Sequence, residues 1–187
     1  MPRRPWKCYR KLSDKAYVMK QKKTGKMRRT YIRGVPDPRL QIFTMGKRNP
    51  DFDYVVKITV VELGNINNLS IEAARVAANR HMRKNIGVSN YYLKILLFPF
   101  HVIREHKMMA FAGADRLQDG MRHAFGKACG TAVRINRINK DIMLIKIKKQ
   151  NIKFAKEALK RAMMKFPLKC VISVITNEQY RAEGGKF

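Results

Sequence analysis

The chain has 187 residues, 45% of them hydrophobic, with 41 Lys+Arg against 13 Asp+Glu and a formal net charge of +28. That apolar fraction supports a folded core and excludes wholesale disorder. A charge this large repels itself in the compact state until a polyanion neutralises it, which argues against an enzyme of small neutral substrates and favours nucleic acid over an anionic membrane surface as partner.

Half of the excess charge lies in residues 1–48, where 16 Lys+Arg face only Asp14 and Asp37. Pro2, Pro5, Pro36 and Pro38, with Gly25 and Gly34, interrupt this stretch. It has little helical or strand periodicity before Leu40, so residues 1–40 read as an extended basic arm and 41–187 as a single α+β domain. Trp6, Tyr9, Tyr17 and Tyr31 are interleaved with the cations. That mixture suits phosphate contact with stacking on unpaired bases; a merely solubilising tail is the competing reading, and such tails are aromatic-poor.

Tyr54–Val61 is β-branched and aromatic and predicts a strand. Asn65, Asn67 and Asn68 supply turn chemistry, and Ser70 is the candidate cap of a helix with Glu72 in its first turn. Ile71, Ala74, Ala78 and Met82 follow at helical spacing, and Lys84 and Gly87 mark the exit. Tyr91–Phe98 predicts a second strand; Pro99 limits its pairing, and His101–Arg104 continues the extended chain.

A long connection, Arg104–Arg137, comes next. It holds Gly113, Gly120, Gly126 and Gly130 among Arg104, Lys107, Arg116, Arg122 and Lys127. Glycines allow close backbone approach to a ligand, and the cations attract phosphate. Residues 116–125 are long enough for a short helix. Ile142–Lys149 predicts a strand with an apolar and a lysine face, so that Lys146 and Lys148 project to solvent. Asn151 is placed to cap a helix presenting Ile152, Ala155, Leu159 and Met163; Pro167 ends it, and Lys169 leads into a strand through Val171, Ile172, Val174 and Ile175. From Arg134 to Lys169 there are 12 Lys+Arg against Asp141 and Glu157, a second basic zone that favours phosphate contact over a merely solvated face.

Two strand–helix–strand halves predict an α+β two-layer sandwich: a mixed sheet with two main helices on one face, plus the basic arm and an inserted loop at about 104–130. No signature of catalysis, cofactor or metal binding accompanies it. Cys8, Cys129 and Cys170 are widely spaced and form no C-x-x-C pair, which reads as reduced thiols in an intracellular protein. His81, His101, His106 and His123 have no ligand spacing. Gly120 to Gly126-Lys127-Ala128 misses the phosphate-loop pattern by one residue and by its final hydroxyl. Asp115 and Asp119 are spaced to bind Mg²⁺ on a helix, although Arg116 and Arg122 favour salt bridges instead. No secretory signal and no apolar run of spanning length is visible.

Specific segments then resemble a known family. Arg3-Arg4-Pro5, Cys8-Tyr9-Arg10, Arg33-Gly34-Val35-Pro36-Asp37, Glu72-Ala73-Ala74-Arg75 and Pro99-Phe100-His101-Val102-Ile103-Arg104 are similar to the universal large-subunit ribosomal protein family called sixteen in bacteria and ten-e in archaea and eukaryotes. The most specific stretch is Ala112-Gly113-Ala114-Asp115-Arg116-Leu117-Gln118, with Gly120-Met121-Arg122 and Ala124-Phe125-Gly126-Lys127; Glu157-Ala158-Leu159 and Lys165-Phe166-Pro167 close it. Ending soon after the last strand, at Phe187, the chain resembles the archaeal form. Asp119 and Ala128-Cys129 depart from the family pattern.

The resemblance implies a structural role in the large ribosomal subunit, in the cytoplasm, with no catalytic residue, cofactor or metal. It implies 23S-type ribosomal RNA (rRNA), the vicinity of 5S rRNA, tRNA and neighbouring large-subunit proteins as partners, and no membrane. It makes Arg3, Arg4, Trp6, Arg10, Arg28, Arg29, Arg33, Lys127 and Arg134 candidates for rRNA contact. It also implies that the central loop points towards the peptidyl-transferase region and is mobile without tRNA, with Arg104, His106, Lys107, Arg116, Arg122 and His123 near the tRNA. An RNA-modifying enzyme and a free nucleic-acid-compacting protein are the alternative classes for such a basic chain.

Overall fold

The computed structural model describes residues 5–12, 19–23, 26–30, 34–48, 52–106 and 126–183. In chain order the strands are β1 (Met19–Lys23), β2 (Lys26–Thr30), β3 (Thr44–Gly46), β4 (Tyr54–Val60), β5 (Gly64–Asn67), β6 (Tyr91–Ile95), β7 (His101–Glu105), β8 (Lys127–Ile135), β9 (Lys140–Ile147) and β10 (Cys170–Thr176). The helices are α1 (Asn68–Ile86), α2 (Ile152–Met163) and the short α3 (Asn177–Ala182). The result is an α+β fold.

Five strands form one sheet in the order β10-β4-β9-β6-β3, three form another in the order β5-β8-β7, and β1 pairs with β2 in a hairpin. Every one of these pairings is antiparallel. The expected mixed sheet is therefore corrected. β4–α1–β6 and β9–α2–β10 are both strand–helix–strand units, but they interleave: β9 lies between β4 and β6, and β4 lies between β9 and β10. Each crossover joins parallel strands that are never neighbours, the split βαβ arrangement.

The alternation of each strand explains the packing. Val56, Ile58 and Val60 of β4, Leu93 of β6 and Ile145 and Ile147 of β9 point to one face and are fully buried. On that face lie Ile71, Ala74, Ala78 and Met82 of α1 and Ala155, Ala158, Leu159 and Ala162 of α2, all at 0% exposure. The alanines allow the two helices to approach closely while keeping helix propensity high. Each large aliphatic side chain buried here is worth about 1.5–3 kcal/mol relative to exposure.

Several local expectations are revised. The cap of α1 is Asn67, whose side chain accepts from the Leu69 amide at 3.3 Å, rather than Ser70. Asn65 and Asn67 lie in β5 instead of a turn, because Gly64–Asn67 finds β8 as a partner, and Asn68 begins α1. The predicted strand Tyr91–Phe98 ends at Ile95, and the last predicted strand runs Cys170–Thr176. Part of the arm read as aperiodic forms the β1–β2 hairpin, and the second part of the 104–137 connection forms the nine-residue strand β8. A short helix at residues 116–125 falls outside the described residues.

The largest correction concerns Lys146. It does not project to solvent; it is 5% exposed. Its amine donates to Asn177 Oδ1 at 3.3 Å and sits 5.6 Å from the Tyr180 ring centroid. The outer face of the sheet is covered there by α3, which a capping box from Thr176 and Gln179 starts. Asn177 also ties α3 to the chain before β4, through its amide to Asp53 O at 2.7 Å and its side chain to Phe52 O at 2.9 Å. Lys148 is exposed as expected.

Candidate nucleic-acid interface

The beginning of the arm is docked on the body. A single 3-10 turn, Trp6–Cys8, sets Trp6 and Tyr9 with ring centroids 5.5 Å apart. The Trp6 indole donates from Nε1 to Asn65 O at 3.0 Å. Asn65 answers with its backbone amide to Arg10 O at 3.0 Å and its side-chain amide to Tyr9 O and Lys11 O, both at 2.9 Å. These bonds cover the outer edge of β5, which otherwise exposes unpaired backbone groups. Gly64 makes the approach feasible, since a Cβ there would meet Arg10 O at 2.8 Å. Trp6 therefore holds the arm to the sheet, whatever else its ring touches.

Arg10 forms an ion pair with Glu62, whose second oxygen accepts from the Lys169 amide at 3.2 Å. The Arg10 bond holds the Glu62 carboxyl below the usual carboxylate range. Arg10 thus acts partly as a bracket between the arm, β5 and the chain leading into β10. Arg28 and Arg29 lie on β2 of the hairpin. Arg3, Arg4 and Arg33 lie outside the described residues.

The described residues on either side of the central loop, 104–106 and 126–128, meet in a narrow neck. Glu105 at the end of β7 pairs with Lys127 at the start of β8, and Arg104 pairs with Ala128. The Arg104 guanidinium also donates to Gly126 O. Gly126 has φ +72, and a Cβ there would meet Glu105 C at 2.6 Å and His106 N at 2.7 Å, so only glycine closes this neck unstrained. His106 sits just beyond β7 and Lys127 is exposed at the start of β8. Lys107, Arg116, Arg122 and His123 lie outside the described residues.

Beyond the neck the body is basic on two faces. Lys153, Lys156, Lys160, Arg161 and Lys165 are exposed along and just after α2, where Glu157 is bonded to Arg161 at 2.7 Å. On the outer face of the five-stranded sheet, Lys146 is held below the usual lysine value by burial, and then by the charges of Arg181, Lys94 and Arg48. Sequence reasoning missed this cluster. The signal is tertiary: the register pairs Tyr92 with Lys146, which puts Lys94 on the same face. Arg134 of β8, with Lys140, borders a cavity of about 320 Å³ beside Phe98 and Phe100.

Among the described residues no group of three or more His, Cys, Asp or Glu side chains is placed to hold a metal ion. All three cysteines are free thiols; burial pushes that of Cys170 up to about 11, which makes it inert as a nucleophile. No described helix is long and apolar enough to cross a membrane.

The described residues thus combine cationic faces, the docked start of the arm and a glycine-closed neck. Residues 19–173 match the family of ribosomal protein L16p/L10e. The chain is 45% identical to the Large ribosomal subunit protein uL16 of Hyperthermus butylicus over 94% of each chain. It is 47% identical to that of Staphylothermus marinus over 90% of this chain and 91% of the relative. It is 45% identical to that of Metallosphaera sedula over 98% of this chain and all of the relative.

Proposed function

The chain belongs to the ribosomal protein L16p/L10e family, and on that premise we propose that it is a structural constituent of the large ribosomal subunit that carries two basic elements onto 23S-type rRNA and helps to position tRNA. Its place is the ribosome, and the family is one of structural ribosomal proteins, which sets aside the RNA-modifying enzyme and the free compacting protein. The observation that carries the reading is the likeness to archaeal large-subunit proteins across nearly the whole chain. A net charge of +28 supports rRNA as the surface on which the body rests.

In this reading residues 1–40 are the rRNA-binding arm of a domain spanning 41–187. Arg3, Arg4, Arg28, Arg29 and Arg33 make phosphate contacts, Lys127 and Arg134 extend them on the body, and Trp6 and Arg10 set the arm's angle of departure. The loop entered through Arg104 and His106 and carrying Lys107, Arg116, Arg122 and His123 reaches towards tRNA near the peptidyl-transferase region, with 5S rRNA and other large-subunit proteins nearby. Most of this binding is electrostatic and directed by RNA shape. The protein makes no bond; it contributes by holding RNA in place.

The test separates loop from body. Replacing Arg116 and Arg122 together by Ala impairs translation in reconstituted particles while the thermal unfolding of the isolated protein is unchanged. A sharp fall in thermal stability instead makes the loop a structural staple. Association with rRNA weakens steeply with salt, with a log–log slope of about −0.7 per neutralised phosphate on single strands; a salt-insensitive association removes the electrostatic account.

A further inference from the structure

The segment between β6 and β7 carries a feature that the cations alone do not explain. Phe98 and Phe100 flank the buried Pro99, and the Phe100 amide donates to Phe98 O at 3.0 Å. This tight bend turns both rings to the same side, with centroids 4.5 Å apart. Phe98 in turn stacks on Phe43 at 5.5 Å with an interplanar angle of 20°. The three rings form a ladder that begins against the core, where Phe43 packs, and ends at Phe100, which is 75% exposed. A phenylalanine held this far out by a fixed bend contributes little to the core and costs solvation.

The cavity beside the ladder is lined by Leu97, Phe98 and Phe100 together with Arg134, Asn136 and Lys140. Among the described residues no carboxylate lines it. We infer that Phe100 is a stacking platform for one unpaired rRNA base, with Arg134 and Lys140 placed for the phosphates that flank it. This rests on the rRNA-binding reading above and adds a base-contacting site to it. The chemistry favours RNA over a protein partner: a flat aromatic face accepts any base, and a cationic rim complements the backbone that accompanies it. Asn136 adds donor and acceptor groups within reach of a base edge.

Titration of the full-length protein with a cognate large-subunit rRNA transcript tests the site, using Phe100→Ala, Phe100→Trp and Phe100→Leu. Because Phe100 is so exposed, all three retain the wild-type unfolding temperature. Phe100→Ala weakens binding roughly 5- to 150-fold, the range for loss of one stacked base, with the salt slope unchanged. Phe100→Trp retains binding, and Phe100→Leu does not. Wild-type affinity in Phe100→Ala or in Phe100→Leu overturns the platform, the second outcome indicating a plain apolar contact such as a protein neighbour makes. Equal loss in all three variants also overturns it. A wild-type protein that does not bind the transcript removes the rRNA-binding reading itself, a result distinct from any of these.

Discussion

The five-stranded and three-stranded sheets are both antiparallel, yet they are buried differently. In the first, β4, β9 and β6 are flanked on both sides, and one face is sealed by α1 and α2. In the second, β8 is the only central strand, the edge of β5 is covered by the docked arm, and β7 and β8 end at the loop neck. The first sheet holds the apolar bulk; the second holds both basic extensions at defined points. The contrast teaches that stability and placement are separable here: the core keeps the body folded, while asparagine, arginine and glycine at the margins fix the described residues that border the arm and the loop.

Substitutions sharpen that separation. The largest effect is expected from Ile58→Ala, which empties a fully buried position on β4. A loss of about 2–5 kcal/mol is expected in denaturant unfolding; a loss below 1 kcal/mol would show that the helical face does not dominate stability. Gly126→Ala comes next, because of its φ of +72 and the Glu105 backbone in its path. A cost of roughly 1–3 kcal/mol is expected, confined to the neck. Amide exchange should quicken in β7 and the start of β8 and stay unchanged in β4 and β9; uniform quickening would erase the distinction between the sheets.

Asn65→Ala removes the side-chain donor to Tyr9 O and Lys11 O and should cost about 1–2 kcal/mol. Trp6 fluorescence shifting to the red before global unfolding would show the arm releasing first. An unshifted Trp6 spectrum would show that the indole bond, the Asn65 amide to Arg10 O and the Arg10–Glu62 pair hold it without the Asn65 side chain.

The smallest effect concerns pH. His81 is 8% exposed and 3.6 Å from Glu157. Its pKa is lowered from 6.5 by burial and by the charges of Arg161 and Lys84, against the opposing pull of Glu157. A depressed histidine folds in its neutral form, so the stability tied to it is present above the unfolded value of 6.5 and is lost as pH falls through the folded value. Unfolding midpoints should therefore decline modestly below pH 6.5, and His81→Gln should flatten that decline. A decline unaltered by the substitution assigns it to other groups.

The elements most legible in the sequence were those whose own periodicity decides them. Ile71, Ala74, Ala78 and Met82 mark the buried face of α1, and the strand read at Tyr54–Val61 is β4, one residue shorter at Val60. What was illegible depends on partners distant in sequence. Lys146 alternates with apolar neighbours as a solvent-facing residue would, and only α3, some thirty residues later, closes over it. Asn65 and Asn67 look like turn residues until β8 supplies their ladder. The interleaving of the two halves leaves no local trace, since each crossover satisfies its own pattern whichever strand lies beside it. Of the proposed contact residues, Trp6 and Arg10 were identified by type alone; their bonds to Asn65 and Glu62 are tertiary facts.

The pairing of β10 with β4 has a consequence for synthesis. The strand that completes the sheet is made more than a hundred residues after the one it covers, so a nascent chain that has emerged only as far as Lys169 leaves one side of β4 without its neighbour. The long edge exposed at that stage is rich in valine and isoleucine, the kind of surface that recruits a second copy or a chaperone. Closure of this sheet therefore waits for Cys170–Thr176, and a chain stalled short of that segment would be a candidate for capture and disposal.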